Sequence, residues 1–201
     1  MTPVRVDEAT VVAHWLRLEP GTSVDPSNLS ESEALDALLT AKPGAAAFVW
    51  RARPVEWYRL RLPRERFTRL RVVGGPSELG WRALSVDGTV LGAARRIDAG
   101  DATRLPEATG VSVTAVERLA NDLADGASLP ALVLTTRRGC APTRVVDGNH
   151  RAAATALHLL RTGEYRPLDA YLGVGANPVL RPLRERLCGV ARRLLGGDLT
   201  P

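Results

Sequence analysis

The chain has 201 residues and a mass of 21.6 kDa, with 45% hydrophobic residues, 24% charged residues and a net charge of +5. That balance is globular and excludes a disordered chain, and no apolar run approaches the ~20 residues a bilayer span needs. Two cysteines, Cys140 and Cys188, are too few for a disulfide framework or a Cys-only zinc site.

The first fifty residues read as helical and separable. The N-terminal segment MTPVRVDEATVVAHWLRLEP lacks the layout of a signal peptide, because acids and a histidine interrupt its apolar residues, so a soluble, cytoplasmic protein is expected. Asp7 is placed to cap a helix carrying Val11, Val12, Trp15 and Leu16. EPGTSVDPSN is a loop by composition. Ser30 and Glu33 then form a Ser-x-x-Glu capping box ahead of Leu35, Leu38 and Leu39.

From Trp57 the period changes to two. Trp57–Leu62 and Leu70–Val73 read as strands, and Gly74-Gly75-Pro76 interrupts the chain. Asp87-Gly88 between Trp81–Val86 and Thr89–Ala93 predicts a hairpin. Arg95–Gly110 reads as loop. Thr114 and Glu117 suggest another capping box, before the apolar stripe Val116, Leu119, Ala120 and Leu123, which Gly126 ends. Ala131–Thr136 and Thr143–Val146 are β-rich, AAATALHLL is a helix stopped by Gly163, and Leu168–Leu172 is a further strand. His158 reads as a surface or packing histidine. Arg181–Leu195 has the spacing of an amphipathic helix. The whole predicts an α+β (mixed α/β) domain over residues 51–175, with a helical extension at 1–50 and a C-terminal helix within 176–201 packing on the same domain.

Lys42 is the only lysine among 27 basic residues. Codon composition alone can give such an arginine bias, which is the favoured reading; the bias also suits phosphate, which a guanidinium grips with two parallel hydrogen bonds. The densest basic stretch runs from Arg51 to Arg71 and contains Trp57, Tyr58 and Phe67. Such a mixture can bind single-stranded nucleic acid. The alternation of Tyr58, Leu60 and Leu62 with Arg59 and Arg61 equally describes a strand with one solvated face, and this second reading is favoured.

One segment carries chemistry: Arg144 to Thr155, RVVDGNHRAAAT. A strand ends at Val146, Asp147-Gly148 turns the chain, and Asn149 is a suitable cap for the next helix. A helix start presents free N–H groups and the positive end of the dipole. His150 and Arg151 add donors there, and Gly148 permits close approach of a ligand. Asp147 is a candidate for holding a divalent metal or for orienting His150. An ordinary strand–turn–helix junction has the same residues, so both readings stand at this point.

Strand, Asp-Gly-x-His-Arg and an alanine-rich helix together resemble the signature of the ParB/sulfiredoxin fold family. ERLANDLADGASLPALVLTTRRG upstream is similar to that family's helix, turn and strand. The resemblance runs from about Glu117 to Leu160, more loosely over Trp57–Leu84, and does not reach the first fifty residues. It implies that Gly148, Asn149, His150 and Arg151 bind nucleotide phosphates. Sulfiredoxin-type repair is not implied, because Asn149 stands where that chemistry needs cysteine. The partition-protein branch continues into a DNA-binding domain, for which too little chain remains. The free-serine-kinase branch spells the signature most similarly. It implies a phosphotransferase that uses ATP, ADP or CTP with Mg2+ to phosphorylate a small hydroxylated substrate, with Asp147 and His150 at the reacting phosphate and Glu78 as general base; Glu56, Glu65 and Glu117 are further candidates for the base. A nucleotide-binding, DNA-associated regulator is the alternative.

Overall fold

A computed structural model describes residues 2–20, 25–44, 49, 54–100, 104–138 and 142–176. Among them the order is β1 (Val4–Val6), α1 (Glu8–Arg17), a 3-10 turn (Pro26–Asn28), α2 (Glu31–Ala41), β2 (Val55–Arg61), α3 (Arg64–Phe67), α4 (Gly80–Leu84), α5 (Val90–Ala99), α6 (Arg104–Thr109), α7 (Val113–Ala124), β3 (Leu132–Arg137), β4 (Arg144–Asp147), α8 (Asn149–Thr162) and β5 (Asp169–Gly175). The fold is α+β, as the sequence predicts. Both cysteines and the amphipathic stretch at 181–195 lie outside the described residues.

The strands form one sheet in the order β1-β2-β5-β3-β4. β3 and β5 run parallel; the other neighbours are antiparallel. Alternating side chains leave the sheet on opposite faces, and both faces are covered. Trp57, Val133 and Tyr171 meet Val11, Val12, Trp15, Leu16 and Leu38 of α1 and α2. Leu60, Leu132, Leu134 and Ala170 meet the helices of the other layer. There α8 lies between α5 and α7 with Ala152, Ala153, Ala154 and Ala156 all buried. Alanine keeps the interhelical distance short, so α8 sits close beneath the sheet.

The first fifty residues are therefore not a detached extension. β1 pairs with β2 through Val4↔Arg59 and Val6↔Trp57, and α1 and α2 supply six of the ten buried residues of one core among the described residues. The caps are as expected: Asp7 accepts from Thr10 N at 2.7 Å, and Ser30 with Glu33 closes a full capping box.

The segment around Asp87-Gly88 departs from the predicted hairpin. It joins two helices, α4 and α5. Asp87 accepts from Thr89 N at 2.8 Å and Ser85 Oγ at 3.0 Å, and Thr89 Oγ1 accepts from Gly92 N at 2.8 Å to cap α5. The buried residues Val90, Ala93, Ala94 and Ile97 have i, i+3, i+4, i+7 spacing. α5 thus extends into the stretch read as loop, which also holds α6. Ser112, not Thr114, caps α7, accepting from Ala115 N at 3.3 Å. Leu70–Val73 makes only single-residue bridges, Arg71↔Thr89 and Arg71↔Arg144.

Candidate phosphate-binding site

β4 delivers the chain to Asp147, and Gly148 turns it into α8 with φ of +88°. A β-carbon at Gly148 would lie 2.7 Å from Leu132 Cδ2 and 2.9 Å from Arg151 Nη2, so both conformation and space require glycine. Asn149 does not cap the helix. Gly148 holds that position, and Asn149 Oδ1 accepts from Val73 N at 3.0 Å. That bond ties the segment beside β4 to the helix start. The same segment is held further back by Arg71 N donating to Thr143 O at 2.9 Å and Val145 N donating to Arg71 O at 2.8 Å. The first bond closed at this end of α8 is Ala152 N to Gly148 O at 2.9 Å. The N–H groups before it have no intrahelical acceptor, which leaves them available to an anion.

Asp147 and Arg151 have other work. Arg151 Nη2 lies 2.5 Å from Asp147 Oδ2, and Nη1 donates to Ala131 O at 2.7 Å and Pro130 O at 3.1 Å. Asp147 Oδ1 accepts from Lys42 Nζ at 2.9 Å, and Lys42 also reaches Glu19 Oε1 at 2.6 Å. Trp15 Nε1 donates to Glu19 at 3.1 Å. The Asp147 and Arg151 side chains are only 10% and 13% exposed. Burial lowers the proton affinity of Arg151, with Asp147 opposing. Burial also works against the Lys42 ammonium, but Glu19 and Asp147 outweigh it and its pKa is raised. The expected phosphate ligand Arg151 is thus a packed arginine that joins α8 to the chain before β3. Both oxygens of Asp147 are taken by cations, so Asp147 does not fit the Mg2+ role read from the sequence. Among the described residues no group of three His, Cys, Asp or Glu side chains is placed to hold a metal ion.

His150 is half-buried, with its ring edge-on to Trp81 at 4.9 Å between centroids and 83° between planes. Burial lowers its pKa; Asp147 opposes this, and Lys42 and Arg151 reinforce it. The imidazole is neutral near pH 7 and can accept a proton. Glu78 lies exposed in the turn before α4, where the Ser77 hydroxyl donates to its carboxylate and lowers its pKa. A carboxylate held in its charged form is a weaker base. The other glutamates have partners elsewhere: Glu56 pairs with Arg138, Glu65 approaches Arg69 at 4.0 Å and Glu117 approaches Arg161 at 3.9 Å.

Three arginines from separate segments converge at the start of β4, the strand that leads into this junction. Arg71 and Arg144 are bridge partners. Arg71 Nη1 donates to Asp87 O at 2.7 Å, and the Arg71 and Arg82 guanidinium groups both occupy the place where a β-carbon on Gly88, whose φ is +70°, would lie. Burial lowers the proton affinity of Arg144, and the charges of Arg71 and Arg82 lower it further. The Asp87 carboxylate accepts from Thr89 and Ser85 and also feels the charge of Arg71, without ion-pair contact. No carboxylate pairs with Arg71, Arg82 or Arg144 among the described residues. Such a cluster is repulsive by itself and is relieved by a bound polyanion.

The basic stretch of the sequence is dispersed in space. Arg59 and Arg61 leave the sheet on the α1 face, Arg64 and Arg66 lie on exposed α3, and Arg71 belongs to the triad. Arg51 and Arg53 lie outside the described residues. No helix is long and apolar enough to cross a membrane among the described residues. His158 is buried, and its Nε2 has no hydrogen-bond partner among the described residues. Comparison with protein-family models, curated proteins and solved structures gives no match to the chain.

Proposed function

We propose that this protein binds a nucleotide through its phosphates at the start of α8 and transfers a phosphoryl group to a hydroxyl of a small molecule, in the manner implied by its resemblance to the kinase branch of the ParB/sulfiredoxin fold. The observation that carries the reading is the convergence of Arg71, Arg82 and Arg144 at the start of β4, the strand that leads into that junction, with no carboxylate in ion-pair contact with them among the described residues. Phosphoryl transfer asks for positioning and charge neutralisation more than for covalent chemistry. In this reading the triad and the free N–H groups of the first turn hold the phosphates. Neutral His150 takes the proton of the attacking hydroxyl, a role that suits its lowered pKa better than it suits Glu78. The hydroxyl oxygen forms a bond to the terminal phosphorus, the bond to the bridging oxygen breaks, and the shortened nucleotide leaves with that electron pair.

Incubation with ATP, ADP or CTP and a panel of hydroxyl compounds, followed by 31P NMR, tests this directly. The expected result is a new phosphate monoester signal that disappears in Arg144→Ala. Nucleotide binding without any product removes the transfer step and leaves a nucleotide-binding regulator.

A further inference from the structure

A concave site borders the Pro130-Ala131 segment that Arg151 holds, and none of the triad lines it. Its origin is the length of α1. Ten residues span about 15 Å, so α1 covers Trp57 and Tyr171 but not the sheet face beyond them. That uncovered face carries Arg59 and Arg61 of β2 and Asp169 of β5, which is opposite Arg61 in the register. His14, on the flank of α1, forms one wall. Its Nε2 lies 3.0 Å from Ala131 O and its ring lies 4.8 Å from that of Tyr171. Leu129 and Pro130 of the segment between α7 and β3 form the opposite wall, and Arg166 stands at the rim. The cavity volume is about 500 Å³, the size of a small-molecule site.

The charge is one-sided. Three arginines meet two carboxylates, Asp169 and Glu164. Asp169 is paired with Arg59 at 3.1 Å. Arg61 has no ion-pair partner among the described residues. Arg166 Nε is 3.1 Å from the Glu164 carboxylate, yet that buried N–H makes no hydrogen bond among the described residues. Burial lowers the pKa of His14, with the Ala131 carbonyl opposing, so His14 contributes a neutral ring. The combination is the Arg61 guanidinium without an ion-pair partner among the described residues, the Arg166 guanidinium with a single carboxylate at its Nε, an aromatic floor at Tyr171 and an apolar wall.

We propose that this pocket binds a small organic oxyanion: a carboxylate or phosphate monoester on a flat apolar body, with Arg61 and Arg166 on the oxyanion and Tyr171, Leu129 and Pro130 on the body. The proposal does not rest on the phosphotransferase reading. The probe is phenyl phosphate, titrated calorimetrically into the full-length Arg144→Ala protein, so that the triad does not contribute. Saturable binding is expected, weakened tenfold or more by adding Arg61→Ala and likewise by adding Arg166→Ala. Asp169→Asn, which frees Arg59, is expected to strengthen it severalfold. Absence of binding, or equal affinity with and without Arg61 and Arg166, overturns the pocket assignment. Either result leaves the triad untouched, because the triad is tested separately with nucleotide in the protein that retains Arg144.

Discussion

Lys42 Nζ lies 2.9 Å from Asp147 Oδ1, although 105 residues separate them in the chain. The only lysine of the sequence thus joins the end of α2 to the turn that starts α8. With Glu19 on one side and Arg151 on the other, it completes a chain of alternating charges between the helical layer and the sheet. The junction expected to be a phosphate cradle is, in its Asp147 and Arg151 half, internally satisfied. The positive charge that the proposed function assigns to the phosphates lies instead in Arg71, Arg82 and Arg144.

Asp147→Ala leaves the Arg151 guanidinium buried without its counter-charge. Breaking a buried pair by removing one partner costs about 3–5 kcal/mol. Urea denaturation is expected to show a loss of that size. Lys42→Ala costs less, about 1 kcal/mol, since that side chain is 39% exposed.

Gly148→Ala combines a left-handed backbone with contacts to Leu132 and Arg151. A loss of about 1–3 kcal/mol is expected, with thermal unfolding as the measurement. An unchanged melting temperature would show that the turn relaxes freely.

Stability is expected to fall as the pH drops below about 6.5, the ordinary histidine value. Burial lowers the pKa of both His14 and His150 in the folded protein. Below 6.5 the unfolded chain takes up protons that the native state resists, so unfolding gains. The stability these two groups contribute is fully present above that value and is lost as the pH descends toward their folded pKa values. His14→Gln with His150→Gln should flatten the profile from pH 6.5 to 5. A profile unchanged by the double substitution would contradict the burial argument.

Arg151→Ala is expected to destabilise the protein by about 2–4 kcal/mol, because Asp147 is then left with Lys42 alone and two carbonyls lose their donor. An Arg151 that held nucleotide phosphates, as the family resemblance implies, would instead lose nucleotide affinity with its fold intact on the same substitution. Circular dichroism during chemical denaturation separates the two outcomes.

How much of this the sequence discloses depends on how local the signal is. Asp7, the Ser30–Glu33 box and the Gly163 stop are read within one turn, and all three are found. The strands at 55–61, 132–137, 144–147 and 169–175 follow from β-rich runs bounded by turns. Asp87-Gly88 misleads, because a dipeptide that favours a hairpin also serves as the link before a Thr89-capped helix; the spacing of Val90, Ala93, Ala94 and Ile97 was the better signal. The role of Arg151 is not local. Its partners come from 130, 131 and 147, and Asp147 depends in turn on Lys42. The triad draws on three separate segments, and no periodicity relates them.

The central claim is that Arg71, Arg82 and Arg144 hold nucleotide phosphates beside the start of α8. Calorimetric titration of ATP, ADP and CTP into the protein and into its Arg144→Ala variant tests it most directly. The account predicts saturable binding of at least one of the three, weakened tenfold or more by the substitution while the melting temperature holds or rises as repulsion within the triad is relieved. Equal affinity in the two proteins, or no binding to either, would contradict it.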